Sequence, residues 1–250
     1  MQSHLQYVAS SKALQNKTVL ITGAGDGIGK QAAITFAQHG AEVLLLGRTV
    51  KKLESTYDEI MSNGGPEPAI VPIDFNGATP KHYEEMVASI EGQYKKIDVV
   101  LFNAGVLGNL CPFEQIKQSD FLEVNQVNLN SQFYMTQALL PLLKQNDSAS
   151  VIFTSSSVGR KGRAFWGAYS ISKFATEGMM QVLADEFKNS GIRFNCINPG
   201  GTKTDMRAKA FPGEKPDLLK TPADIMSTYL YLASDDSQKV NGQSLDCQAS

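Results

Sequence analysis

Histidine is scarce in this 250-residue chain, occurring only at His4, His39 and His82, which are too dispersed to form a metal-ligand cluster. No metal is expected. Cysteine is equally rare, and Cys111, Cys196 and Cys247 are far apart with no C-x-x-C spacing. That usage excludes a disulfide framework, suits a reducing compartment and reads as small apolar thiols in a core. Neither sign of charge is in surplus: 23 Lys and Arg face 25 Asp and Glu, for a formal net charge of −2. A basic footprint for nucleic acid is therefore missing. No uncharged apolar run is long enough to span a membrane, and the opening MQSHLQYVASSKALQNK has neither the basic start nor the apolar core of a signal peptide. A soluble, cytoplasmic protein without a membrane partner is expected. With no Gly-x-Ser-x-Gly elbow, a serine hydrolase mechanism lacks its nucleophile setting.

What the chain does have is 42% hydrophobic residues, ample for one large α/β domain, with no linker, repeat or low-complexity tract. Short apolar, β-rich runs at Thr18 to Thr22, Glu42 to Leu46, Ala69 to Ile73, Val99 to Phe102, Val151 to Thr154 and Ile192 to Ile197 read as strands. A short seventh strand is expected around Ser244 to Asp246. Between the strands lie helical patterns, including Pro80 to Tyr94, one long helix over Ser119 to Gln145, one from Gly167 onward, and a last one near Pro222 to Leu232. This alternation predicts a Rossmann-type doubly wound parallel sheet of about seven strands, helices on both faces, as a single domain over 1–250. Ligands then belong at the carboxyl ends of the strands.

The polar motifs fall at those ends. The first strand runs directly into Gly23-Ala24-Gly25-Asp26-Gly27-Ile28-Gly29 and then a helix, an order that lets backbone N–H groups and a helix N-terminus meet a phosphate. The second ends in Gly47-Arg48, where an arginine welcomes a ribose 2′-phosphate and an acid would accept from a 2′-hydroxyl. NADP(H) is therefore favoured over NAD(H), although Asp26 adds a negative charge that opposes such a phosphate. Asp74-Phe75 closes the third strand, with Asp74 suited either to an adenine amino group or to capping a turn. Asn103-Ala104-Gly105 closes the fourth with small residues where backbone passes close to something.

Val151 to Phe174 organises the rest. Its strand spills into Ser155, Ser156 and Ser157, and the following helix carries Tyr169 and Lys173 one turn apart on one face. An ammonium beside a phenol favours the phenolate and lowers the tyrosine pKa, making it an acid or base near working pH. Ser156 is placed to hydrogen-bond a carbonyl or alcohol oxygen in front of Tyr169. Asn128 interrupts an apolar helix face, and a buried asparagine must be bonded to something. Trp166 and Phe165 either line a substrate pocket or pack at a subunit contact. The segment at about 205–220, with two prolines and mixed charge, reads as a mobile loop or short helices forming a substrate lid.

Taken in order, Thr22-Gly23-x-x-x-Gly27-Ile28-Gly29, Asn103-Ala104-Gly105, Asn128, Ser156, Tyr169-x-x-x-Lys173 and Pro199-Gly200 resemble the short-chain dehydrogenase/reductase family over essentially the whole length. SSSVGRKGRAFWGAYSISKFATEGMMQVLADEF and NCINPGGTKTDMRAKAFP resemble a bacterial oxidoreductase branch of it. The resemblance implies hydride transfer between NADP(H) and a small-molecule carbonyl or alcohol, with Tyr169 giving or taking the proton and Ser156 orienting the substrate oxygen. Lys173 then holds the nicotinamide ribose, and Asn128 holds a water in the proton relay. The glycine turn takes the pyrophosphate, Asn103 and Gly105 the adenosine side, and Pro199, Gly200, Thr202 and Thr204 the nicotinamide end. It also implies a homodimer or homotetramer, in line with helices around Asn128 and Tyr169 that are apolar over more faces than one core needs. The competing reading is a non-catalytic nucleotide sensor or scaffold of the same fold.

Overall fold

Alternation of buried side chains along short parallel strands sets the architecture. The strands are β1 (Thr18–Thr22), β2 (Glu42–Gly47), β3 (Ala69–Pro72), β4 (Val99–Phe102), β5 (Ala149–Thr154), β6 (Ile192–Asn198) and β7 (Ser244–Asp246). In this computed structural model, which describes residues 3–249, they form one parallel sheet in the order β3-β2-β1-β4-β5-β6-β7. Val19, Ile21, Val43, Leu45, Val99, Leu101 and Ile152 point to one face. Leu20, Leu44, Leu46, Val100, Phe102, Val151 and Phe153 point to the other. Both sets are almost wholly removed from water, so these strands read as continuous apolar runs in the sequence.

Helices α1 (Gly27–Gln38), α2 (Val50–Ser62) and α8 (Met226–Ala233) cover the first face. The second face is covered by α3 (Pro80–Glu91), α5 (Ser131–Leu143) and α6 (Gly167–Glu186). Phe36, Leu53 and Tyr229 fill the first layer, and Tyr83, Met135 and Phe194 the second. Each such side chain contributes about 1.5–3 kcal/mol by leaving water. From β1 the chain winds outward to β2 and β3, then returns to place β4 on the other side of β1. The loops after β1 and β4 therefore diverge and leave a crevice between them.

One element differs from expectation. The long helix over Ser119 to Gln145 is instead α4 (Gln118–Asn125), a π-helical turn at Gln126–Asn130, and α5, which carries Pro141 inside it. The wider turn is fixed by Asn128, whose amide is bonded to the backbone of Val106 on the neighbouring loop. The 205–220 segment holds a short helix, α7 (Asp205–Ala210), and a 3₁₀ turn at Pro216–Leu218. A bidentate pair between Arg207 and Glu214, at 2.6 Å for both contacts, ties α7 to the loop behind it. Among the described residues, no helix is long and apolar enough to cross a membrane, and no cluster of metal-ligating side chains is found.

Candidate active site

The crevice at the carboxyl ends of β1, β4, β5 and β6 is a cleft of about 380 Å³. Its floor begins at the glycine turn. Gly23 has φ +69°, in the left-handed region, and an ideal Cβ on Gly29 would lie 2.2 Å from the Gly23 carbonyl oxygen. Only a hydrogen at Gly29 lets α1 start this close to β1. Asp26 caps α1, its Oδ1 accepting from the Gly27 amide at 2.7 Å. Its other oxygen is paired with Lys52 of α2, which holds the carboxyl below its usual range. The negative charge that opposed a phosphate in the sequence is thus met by a cation that sequence spacing did not reveal.

Across the crevice, the Thr22 hydroxyl accepts from the amides of Asn103 and Ala104, both at 3.0 Å, and so clamps the loop after β4 onto the end of β1. Asn103, Ala104 and Gly105 line the cleft. Asn128 is fully buried beneath them. Its Oδ1 accepts from the Val106 amide at 2.8 Å, while Nδ2 donates to the Val106 carbonyl and to Ser172 Oγ. Every polar atom of that side chain is therefore already engaged.

Ser156, Tyr169 and Lys173 meet on the β5 side. Ser156 follows β5 in extended backbone, and α6 brings Tyr169 and Lys173 against it. Trp166 packs edge-on against Tyr169 at 5.9 Å between ring centroids and tilts toward Phe211 at 5.7 Å. Its neighbour Phe165 adopts φ +73°, a rare state for an aromatic residue, and points into solvent. Of the two aromatics, Trp166 belongs to the cleft.

Electrostatics here depart from the expected lowering of the tyrosine pKa. Lys173 Nζ donates to the Thr154 carbonyl at 2.7 Å and sits 5.5 Å from the centre of the Tyr169 ring, with no bond to the phenol. Burial therefore dominates, pushing the Tyr169 phenol up to about 12, with the Ser156 hydroxyl pulling it partly back. Burial also brings Lys173 down to about 8, opposed by Cys196 and Glu177. A buried amine at that value is still mostly an ammonium at neutral pH. The pair is poised so that a further positive charge beside the phenol would draw it toward ionisation.

Pro199, Gly200, Thr202 and Thr204 wall the far side, together with Asp205, Met206, Arg207 and Ala210 from α7. The motif residues Gly23, Asp26, Gly27, Ile28, Asn103, Ala104, Gly105, Ser156, Tyr169 and Lys173 all border the same cleft. Gly25 and Gly29 lie within the turn itself, where a Gly25 Cβ would strike Lys52. Arg48, Asp74 and Phe75 stand outside the cleft. Arg48 is exposed just after β2, Asp74 caps a turn by accepting from the Asn76 amide at 3.2 Å, and Phe75 is buried in the core. Leu107, Thr154, Ser155 and Asn198 border the cleft too, Thr154, Ser155 and Asn198 beside motif residues in sequence and Leu107 two positions beyond Gly105.

Known proteins share this arrangement. Residues 17–215 match the family model described as short chain dehydrogenase. The chain is 50% identical over 244 residues to the uncharacterized oxidoreductase YciK of Escherichia coli strain K12, covering 98% of this chain and 96% of that one. It is 30% identical to cyclohexanol dehydrogenase of an Acinetobacter species, with 93% of both chains covered. A protein from Escherichia coli CFT073, solved in complex with NADPH, superposes with a TM-score of 0.94 at 50% identity over 96% of this chain and all of that one. Fold and sequence agree over nearly the full length: this chain belongs to the short-chain dehydrogenase family.

Proposed function

We propose that the protein is an NADP(H)-dependent oxidoreductase that interconverts a carbonyl and an alcohol, with Tyr169 as the proton donor and acceptor. The observation that carries this reading is the convergence of Ser156, Tyr169 and Lys173 with the glycine turn in one cleft. Bound nicotinamide supplies the hydride in one direction and takes it up in the other. The Tyr169 phenol gives a proton to the carbonyl oxygen as that oxygen gains charge, and its phenolate takes the proton back in reverse. Ser156 donates to the same oxygen and fixes its distance from the phenol. Lys173 would hold the nicotinamide ribose, and its ammonium lies 5.5 Å from the centre of the Tyr169 ring. Because its side chain is fully engaged, Asn128 would hold a relay water through its main chain.

The site fits the dinucleotide on its own terms. The Gly23–Gly29 turn is packed so closely that a Cβ at Gly29 would strike the Gly23 carbonyl, which brings the start of α1 against β1 as a pyrophosphate cradle requires. Asn103 and Gly105 flank the adenosine side, and Pro199 to Thr204 the nicotinamide end. Arg48, exposed at the end of β2, is free for a 2′-phosphate, with Asp26 already neutralised by Lys52. The solved relative with NADPH supports the same choice. Arg48→Ala is expected to cut the preference for NADPH over NADH by about 10- to 100-fold, the loss of one or two charge-assisted hydrogen bonds, as read by the ratio of dissociation constants. An unchanged ratio would remove Arg48 from cofactor selection.

The lid is α7 with the turn at Pro216–Leu218, closing over the substrate end through Met206 and Ala210. A panel of aldehydes, ketones, quinones and diketones with NADPH tests the reaction class. Tight NADPH binding without turnover on any of them would favour the sensor reading. Exposed Phe121, Leu122, Phe133, Ile171, Phe174 and Val182 on α4, α5 and α6 support pairing of those helices with a second copy. Sedimentation is expected to show a dimer or tetramer at micromolar concentration, and a monomer would contradict it. Three free cysteines suit the cytoplasm, where we place the protein.

A further inference from the structure

One turn beyond Lys173 on α6 lies Glu177, a carboxylate only 7% exposed that the proposed reaction does not use. Its Oε1 accepts from Ser244 Oγ at 2.7 Å and lies 3.5 Å from Arg160 Nε. Arg160 in turn grips both oxygens of Asp246, at 2.9 and 3.1 Å, and donates to Ser244 Oγ at 2.8 Å. Asp246 also accepts from Asn198, which borders the cleft, at 2.7 Å. Arg160 follows directly on the Ser157–Gly159 turn behind Ser156. One ionic cluster therefore joins the Ser156 loop, the end of β6, β7 and the helix of Tyr169 and Lys173.

We infer that Glu177 is a positioning residue: through Arg160 and Ser244 it locks the Ser156 loop and β7 onto α6, and its carboxylate is the counter-charge that keeps the buried Lys173 an ammonium. The groups facing Lys173 leave no other anion. From its own helix come Tyr169 and Glu177, from β5 the Thr154 carbonyl, from β6 Cys196, from the loop after β4 Gly105, and behind it Asn128 of the π turn. Tyr169 is neutral at working pH, and burial holds the Cys196 thiol far above its usual range, so it too is neutral. Desolvation lowers the Lys173 pKa; Cys196 and then Glu177 oppose that fall, and with the thiol neutral the carboxylate is the one that bears charge. Arg160 balances Glu177 from the other side, so the amine senses the difference between them.

This inference rests on Lys173 acting in the reaction, but its test reads Lys173 without turnover. Side-chain amine signals in ¹⁵N NMR, assigned with a Lys173→Arg variant, give the titration midpoint of Lys173 in the full chain. Glu177→Gln, nearly isosteric and still an acceptor for Ser244, is expected to lower that midpoint by about half a pH unit or more. Arg160→Gln, which removes the balancing cation, is expected to raise it, and Cys196→Ser to leave it in place. The opposite signs keep the test decisive should one variant fail to fold. A midpoint unmoved in the variant that folds, or shifted the other way, would overturn the role of Glu177. The proposed reaction is judged separately, by turnover of Tyr169→Phe.

Discussion

Tyr169→Phe is expected to lower kcat/KM with NADPH and any accepted carbonyl by about 10³-fold or more, while the NADPH dissociation constant stays within about threefold. The expectation follows from what the change removes. Phenylalanine keeps the ring against Trp166 and beneath the Lys173 amine, so the wall of the cleft is preserved. It deletes only the hydroxyl that faces Ser156. The cost in stability is about 1 kcal/mol or less, the worth of at most one hydrogen bond. Steady-state kinetics with calorimetry separates the outcomes. Loss of turnover with retained binding assigns the proton to Tyr169, whereas retained turnover would move the proton elsewhere and undo the proposed chemistry.

Gly29→Ala should be the most damaging single methyl group in the chain for nucleotide binding. Its Cβ would lie 2.2 Å from the Gly23 carbonyl oxygen and 2.7 Å from Asn103 Nδ2, and the first of these is backbone that cannot rotate away. Either β1 and α1 separate or the turn opens, at about 1–3 kcal/mol for the overpacking. For a chain of this size that is a fall in Tm of about 2–12 °C. The NADPH dissociation constant is expected to rise about 100-fold or more, because the backbone of the turn proposed to hold the pyrophosphate moves as a unit. Gly77→Ala, where a Cβ meets nothing within 4 Å, is the control and should change neither quantity. Equal affinity in Gly29→Ala and wild type would mean that the turn is not the phosphate cradle.

Much of this was legible in the chain because parallel strands buried on both faces leave unbroken apolar runs. Thr18–Thr22 and Val99–Phe102 are found at the bounds read from the sequence. The glycine turn and the Tyr169 to Lys173 spacing are also local, so their neighbours in space are largely their neighbours in sequence. What escaped depends on contacts between distant segments. The π turn at Gln126–Asn130 exists because Asn128 bonds to Val106, 22 positions away, a partner that no helical pattern announces. Lys52 meets Asp26 only once α2 has folded back beside the first turn. The lowered tyrosine pKa expected from spacing alone gave way to burial, because the ammonium turns to the Thr154 carbonyl and not to the phenol. Trp166 and Phe165 are adjacent and both aromatic, yet a left-handed backbone at Phe165 sends one into the cleft and the other into solvent.

In the proposed reaction Tyr169 is a buried phenol made acidic when positive charge arrives beside it. Phenolate absorbance near 295 nm, recorded as wild type minus Tyr169→Phe across a pH titration with and without NADP⁺, reads that ionisation directly. One phenolate is expected to appear at least about 2 pH units lower when NADP⁺ is present than when it is not. A difference spectrum that is flat, or a midpoint that NADP⁺ leaves unmoved, would contradict the account.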